Sequence, residues 1–330
     1  MATRHSAKEA PAPFNKADAT ATMKSADGVV FHVHIVILAE ASPLFFDMFT
    51  LPQPARDSSS IEEADSHPST SSTPCIEVTE DSVVLDTLLR FCYPALRPSS
   101  IDTLERLRPL LEAATKYQLD YVVEYLKERL INLASKEPVR VYLIACMYEM
   151  ADVARLAARE SLHDISLDAA PPELDLIPAR MYHNILRYHD QCQRAATQLA
   201  ENFTWIPNGT PLGNTDPMRA SAPPVINWEH NRAPIWQSCN ACKDNSRTIV
   251  IGQQTCTAAR WWLKLMDRAR IALRDRPCGD TVLQATLLEP IFQDALACTN
   301  CYRYSFLNEF KTFIYYFTRK VDDTVAEVGR

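Results

Sequence analysis

Glycine is scarce in this chain: six among 330 residues, at positions 28, 209, 213, 252, 279 and 329. Scattered in this way they form no Gly-rich loop able to cradle a phosphate or a dinucleotide. Neither G-x-S-x-G nor H-E-x-x-H occurs, so the nucleophile elbow and the helical zinc pair of known hydrolases are absent. An excess of basic residues is lacking too. The formal net charge is -7, whereas a DNA-binding surface needs clustered Lys and Arg against phosphates. No run of 18 apolar residues exists, and the segment from Met1 to Phe14 has no apolar core of a signal peptide. These exclusions predict a soluble, intracellular protein, cytoplasmic or nuclear, with no membrane or nucleic-acid partner and no small-molecule substrate. They also predict no enzyme: His34 has no nucleophile or acid tied to it by spacing, and no catalytic residue is assigned.

The length allows two domains with ample core. Residues 1–14 read as a disordered leader. Ala17 to Lys24 and Val29 to Val33 read as two strands joined across Asp27-Gly28, a tight-turn dipeptide. Two helical fragments follow, with Ser42 as N-cap and Pro43 as first helical residue of the second. On that fragment Phe45, Phe46, Met48 and Phe49 are too many large apolar groups for one core-facing stripe. They should bury two faces, or bury one and offer the other to a partner. Residues 52–74, rich in Pro and Ser, read as a flexible polar loop. Cys75 to Val78 is an alternating strand, and Thr79 or Glu80 is placed to cap a helix carrying Val84, Leu85, Leu88 and Leu89. Asp120 is placed to cap a later helix with Val122, Leu126 and Leu130 on one side.

The stretch from Val33 to Phe49 resembles the signature of the BTB/POZ domain, V-H-x-x-x-L-A-x-x-S-x-x-F-x-x-M-F. Val33, His34, Leu38, Ala39, Ser42, Phe45 or Phe46, Met48 and Phe49 fall in register with it. The resemblance continues through the helix ending Leu88-Leu89-Arg90-Phe91-Cys92-Tyr93, and through Leu110-Leu111-Glu112-Ala113-Ala114-Thr115-Lys116-Tyr117. It covers residues 15–133 and implies an α+β BTB/POZ fold, a small sheet flanked by helices, that mediates homodimerisation or hetero-association. The chain as a whole looks like the BTB proteins of fungi. Some BTB proteins are substrate adaptors for cullin-based ubiquitin ligases, with a hydrophobic residue, any residue, then Glu after M-F. Phe49-Thr50-Leu51-Pro52-Gln53 has no Glu at that spacing, which departs from the adaptor pattern.

A mainly α-helical C-terminal region follows. Residues 134–202 read as a helical extension: a hairpin from Ser135 to Pro172, then a long helix from Pro178 to Glu201. Residues 203–238 are a Pro- and Asn-rich connector. Residues 239–330 read as a helical, Cys-bearing domain with helices over Thr257–Arg274, Asp280–Leu288 and Cys301–Val328. In the last, Phe306, Phe310, Phe313, Phe317, Val321, Val325 and Val328 make one core-facing stripe. Arg268, Arg270, Arg274 and Arg276 form a solvated helix face, interrupted by Asp267 and Asp275.

Ten cysteines in an intracellular chain are reduced thiols or metal ligands rather than disulfides. Cys239-Asn240-Ala241-Cys242 and Cys298-Thr299-Asn300-Cys301 are two C-x-x-C pairs. Each such turn presents two sulfurs together, and two pairs supply the four thiolates of one structural zinc. Against this, the pairs stand far apart in sequence, and Cys256, Cys278 and His230 are spare ligands. The other reading is buried, reduced cysteine in a helical core, as for Cys146 and Cys192. The five tryptophans, Trp205, Trp228, Trp236, Trp261 and Trp262, read as bulk for that core rather than a binding surface. Function thus narrows to a non-enzymatic interaction module, acting as scaffold or adaptor. The rival of a different class is a thiol-based redox or metal protein working through the Cys pairs.

Overall fold

A computed structural model describes residues 8–50, 74–94, 96, 100–163, 170–207, 234–302 and 306–329. The fold divides into two compact units, Met1–Glu137 and Pro138–Arg330. Residues 52–73 of the expected polar loop lie outside the described residues, as do Leu51, with the adaptor motif's spacing, and Trp228 and His230 in the connector.

The first unit is a small sheet flanked by helices. Its strands β1 (Lys8–Glu9), β2 (Ala21–Lys24), β3 (Val29–Val33) and β4 (Cys75–Glu77) lie in the order β1-β3-β2-β4. β2 and β3 are antiparallel, with Ala21 opposite Val33 and Lys24 opposite Val30, and β4 runs parallel to β2. Gly28 closes the hairpin at φ +81°, a left-handed conformation that a side chain would strain. Alternation places Ala21, Met23, Val29, Phe31 and Val33 on the buried face. Residues 8–14 are not the disordered leader that their composition suggested. β1 pairs parallel with β3, Ala10 donates to Val30 O at 2.8 Å, and Phe14 is fully buried against Phe31 and Tyr93. One large aromatic anchor is enough to hold a polar segment down.

Helices α1 (Ile35–Ala41), α2 (Pro43–Thr50), α3 (Ser82–Cys92), α4 (Leu104–Lys116) and α5 (Asp120–Leu133) complete this unit. Leu38, Phe45, Leu88, Leu89, Leu111, Ala114 and Leu126 are all completely buried. Two caps differ from expectation. Asp81, not Thr79 or Glu80, caps α3, accepting from Val83 N and Val84 N at 3.0 and 2.8 Å. Glu80 turns instead to α4, taking Lys116 Nζ at 2.8 Å and the Tyr117 hydroxyl at 2.6 Å. Asp120 is the first residue of α5 and caps nothing; Leu119 stands at the cap position.

The second unit opens on the helical hairpin α6 (Pro138–Met147) and α7 (Ala151–Glu160), followed by a 3-10 turn at Pro172–Leu176 and the long α8 (Ala179–Glu201). Next come α9 (Ile235–Ser238), β5 (Lys243–Ile251), β6 (Gln254–Ala259), α10 (Arg260–Asp275), α11 (Gly279–Val282), α12 (Ala285–Leu296) and α13 (Phe306–Val328). The segment from residue 239 is therefore not all helical: it begins with an antiparallel β-hairpin. Ile251 faces Gln254 across a two-residue turn, with Gly252 at φ +57° supplying the left-handed position. Thr257 to Ala259, expected to open a helix, finish the second strand. Asp280 to Leu288 is likewise broken, because Gln284 is extended between α11 and α12. The core is aromatic. Trp236 and Trp262 stack with ring centroids 4.6 Å apart, and Phe203 meets Trp262 at 4.9 Å. Phe306, Phe310, Phe313, Phe317, Val321 and Val325 of α13 are buried as one stripe. Both ends of the expected connector belong to this core, since Phe203, Ile206 and Trp236 are buried in it. Arg268, Arg270, Arg274 and Arg276 are exposed.

In the first unit the β2–β3 turn is latched to α3. Asp27 takes the hydroxyls of Ser25 and Ser82, both at 2.6 Å, and the Ser82 backbone N–H at 2.8 Å. These donors, Ser25 foremost and Ser82 next, hold the Asp27 carboxyl down at about 2. A depressed carboxylate stabilises the fold above its unfolded value and loses that contribution as pH falls through the folded one. Asp27→Asn in the full chain should cost about 1 kcal/mol at pH 7, a value kept small because the site is open to solvent. The difference from the parent should shrink between pH 4 and pH 2. Urea unfolding across that range checks it; a gap unchanged at pH 2 would contradict the latch.

Candidate metal centre and association surface

Local structure aims each of the four cysteines. α9 ends on Cys239, whose N–H still bonds Ile235 O at 3.0 Å. Three residues on, Cys242 precedes β5, and its carbonyl is held by the Arg260 N–H at 2.9 Å. The hairpin therefore returns to the same place and carries Trp261 with it. Cys298 sits in the turn that follows α12, its N–H bonded to Ala295 O at 3.2 Å and its carbonyl taking the Tyr302 N–H at 3.1 Å. Cys301 lies inside that turn, fully buried.

All four sulfurs lie within 4.8 Å of one another. Cys239 and Cys242 are 3.5 Å apart, Cys242 and Cys301 3.5 Å, and Cys239 and Cys298 3.7 Å. A tetrahedral ion with sulfur bonds of about 2.3 Å requires edges of about 3.8 Å. Those three distances come close to that figure, and the whole set stays within 4.8 Å. A fifth group completes the surroundings: Trp261 Nε1–H points at Cys301 Sγ at 3.4 Å, the kind of outer donor that orients a metal-bound thiolate. Trp261 was legible only as an aromatic; nothing in its sequence position marked it as a neighbour of the sulfurs.

Electrostatics divide the cluster. Burial pushes the Cys301 thiol up to about 12, and burial with the adjoining thiols pushes Cys242 higher still. Cys298 is the exception. Burial is the largest single effect and raises it, but the Cys301 and Asn300 backbone N–H groups, with the Cys239 and Cys242 thiols, together outweigh burial and bring it down to about 7. Four adjacent thiols cannot all ionise in water-poor surroundings, while a bound cation reverses that by taking up their charge. Two of the spare ligands considered from sequence, Cys256 and Cys278, stay apart. Cys256 lies on β6 outside the cluster, and Cys278 is buried with its sulfur 3.3 Å from Thr281 Oγ1. Cys192 is buried and Cys146 half-buried.

The apolar group on α2 separates into two kinds. Phe45 is completely buried and stacks on Tyr117 with centroids 4.7 Å apart. It is a core residue and not part of an exposed association face as expected. The reason is local: Ser42 Oγ accepts the Phe45 N–H at 3.1 Å while donating to Tyr117 O, so the cap that starts α2 also fixes Phe45 over the tyrosine. Phe46, one residue on, is 53% exposed, and Met48 and Phe49 are half-buried. Val36 on neighbouring α1 is 72% exposed. The His34 backbone N–H bonds the Tyr93 hydroxyl at 2.7 Å.

Residues 14–134 match the family model of the BTB/POZ domain. No curated protein matches the chain.

Phe45 and Phe46 should respond oppositely to truncation. Phe45→Ala should destabilise the protein by about 3–4 kcal/mol, as for other large buried aromatics. Phe46→Ala should change stability by no more than about 0.5 kcal/mol. Chemical denaturation of both variants checks this.

Proposed function

We propose that this chain, whose residues 14–134 are a BTB/POZ domain and hence a protein–protein interaction module, is a non-enzymatic scaffold that self-associates through that domain. The observation that carries the reading is the exposed apolar surface of α1 and α2. Val36 on α1 and Phe46 on α2, two helices packed on each other, lie open to solvent, with Met48 and Phe49 half-buried, and a contiguous apolar surface of this kind usually marks an interface. The buried Phe45 and Ser42 beneath them keep that surface rigid. Sedimentation of the full chain should show a dimer at tens of micromolar. Val36→Asp with Phe46→Asp should raise its dissociation constant at least tenfold without unfolding it. A parent chain that stays monomeric at that concentration would overturn the reading.

The second unit serves this scaffold as a domain stabilised by one zinc ion, held by Cys239, Cys242, Cys298 and Cys301. The sulfur spacing supports this reading over a redox dithiol, because four thiols rather than two converge. The metal would tie the turn before α13 to the turn before β5, adding its binding free energy to the folding of both segments. Metal analysis of the purified chain should find one zinc per chain, lost in Cys298→Ser. Chelation should lower the melting midpoint by about 10 °C, equivalent to roughly 3 kcal/mol in a domain of this size. It should leave dimerisation intact. A zinc-free chain with one rapidly alkylated thiol would support the redox rival instead.

A further inference from the structure

α6 and α7 pack tightly on each other yet meet α8 only sparsely along their length. They are joined to it at two ends. At one, the Tyr142 hydroxyl donates to Met181 O at 3.3 Å; at the other, Ser161 Oγ and His189 Nε2 are 2.7 Å apart. Between these ties lies a groove of about 780 Å³. Its floor is small and apolar, with Ala145, Ala154 and Ala158 from the hairpin opposite Met181, Ile185 and Tyr188 of α8. Small side chains keep the two walls apart where Leu or Phe would have filled the space. The volume falls within the range of about 300–1,000 Å³ typical of small-molecule sites.

The rim is mainly cationic, with Asp152 and Glu160 beside Arg155 and Arg159 on the adjoining surface of α7. Arg155 and Arg159 stand one helical turn apart on α7, and Arg180 comes from the first turn of α8. Against these three guanidinium groups the groove holds one carboxylate, Glu149. Elsewhere on this unit Arg140 pairs with Glu173 at 2.8 Å and Arg247 with Asp267 at 3.0 Å. Among the described residues, Arg155, Arg159 and Arg180 have no ion-pair partner. Two arginines one turn apart on a single helix suit a compact anionic head that takes several N–H donors at once. A helix with acidic groups spread along its length would leave that concentrated charge poorly matched.

From the apolar floor and the cationic rim together, we propose that the α6–α7–α8 groove binds a single-chain aliphatic carboxylate, a fatty acid. The tail lies along the alanines and Ile185, and the carboxylate meets Arg155 and Arg159. The assignment is independent of the association and zinc readings.

Calorimetric titration of the full chain with laurate tests it. Saturable binding of one laurate per chain is expected. Arg155→Ala with Arg159→Ala, both at exposed positions, should weaken it at least tenfold, and dodecanol, which keeps the chain but lacks the charge, should bind the parent at least tenfold more weakly. Ala154→Phe should fill the groove and abolish binding while circular dichroism stays unchanged; should that variant misfold, the arginine pair decides. The proposal is overturned by an absence of saturable binding, by laurate affinity indifferent to both arginines, or by a well-folded Ala154→Phe that binds like the parent. It is equally overturned if the groove proves to be covered by a second copy, seen as self-association that Ala154→Phe disrupts and laurate does not affect.

Discussion

Cys239, Cys242, Cys298 and Cys301 come within 4.8 Å of one another where two turns of the second unit, far apart in sequence, meet. Sulfurs 3.5–3.7 Å apart are at van der Waals contact, so neither turn can shift without displacing the other. The residues just outside inherit that position. Trp236 precedes one turn and Trp261 and Trp262 leave the hairpin beside it, while Phe306 begins α13 just beyond the other. Trp236 stacks on Trp262, and Trp261 meets Phe306 edge-on at 5.4 Å, beside the turns that carry the cysteines.

The first unit is organised by a smaller device with a similar logic. Ser42 accepts one hydrogen bond as a cap and donates another to a distant carbonyl, and this decides which phenylalanine of α2 goes inward. Because successive helix positions point about 100° apart, fixing Phe45 on Tyr117 turns Phe46 outward. An interaction module needs both outcomes: a rigid floor and an apolar surface left over.

The second unit also shows that small residues create space as well as fill it. The alanines of α6 and α7 let those two helices approach each other closely. The same alanines leave room against α8, where larger side chains would have closed the gap. A sequence rich in alanine on a helix face therefore does not reveal whether that face is packed or open.

What the sequence by itself determined was local. The β2–β3 hairpin, the strand and helix order through Leu133, and the stripe of α13 were readable because each is written in periods of 2 or 3.6 residues, or in a turn dipeptide such as Asp27-Gly28. The β5–β6 hairpin carried a signal as well, Thr248 to Ile251 before Gly252, but the helical pattern of Arg260 onward masked it. Tertiary structure alone decided the rest. Phe14 anchors a polar segment because Phe31 and Tyr93 leave a place for it. Asp81 rather than Thr79 or Glu80 caps α3 because Lys116 and Tyr117 draw Glu80 away. The C-x-x-C spacing declares two pairs of sulfurs, but not that they meet. Fifty-five residues of chain lie between them, and only the packing of β5, β6, α10 and α12 brings the ends together, because distance in space is set by long-range contacts that no local pattern records.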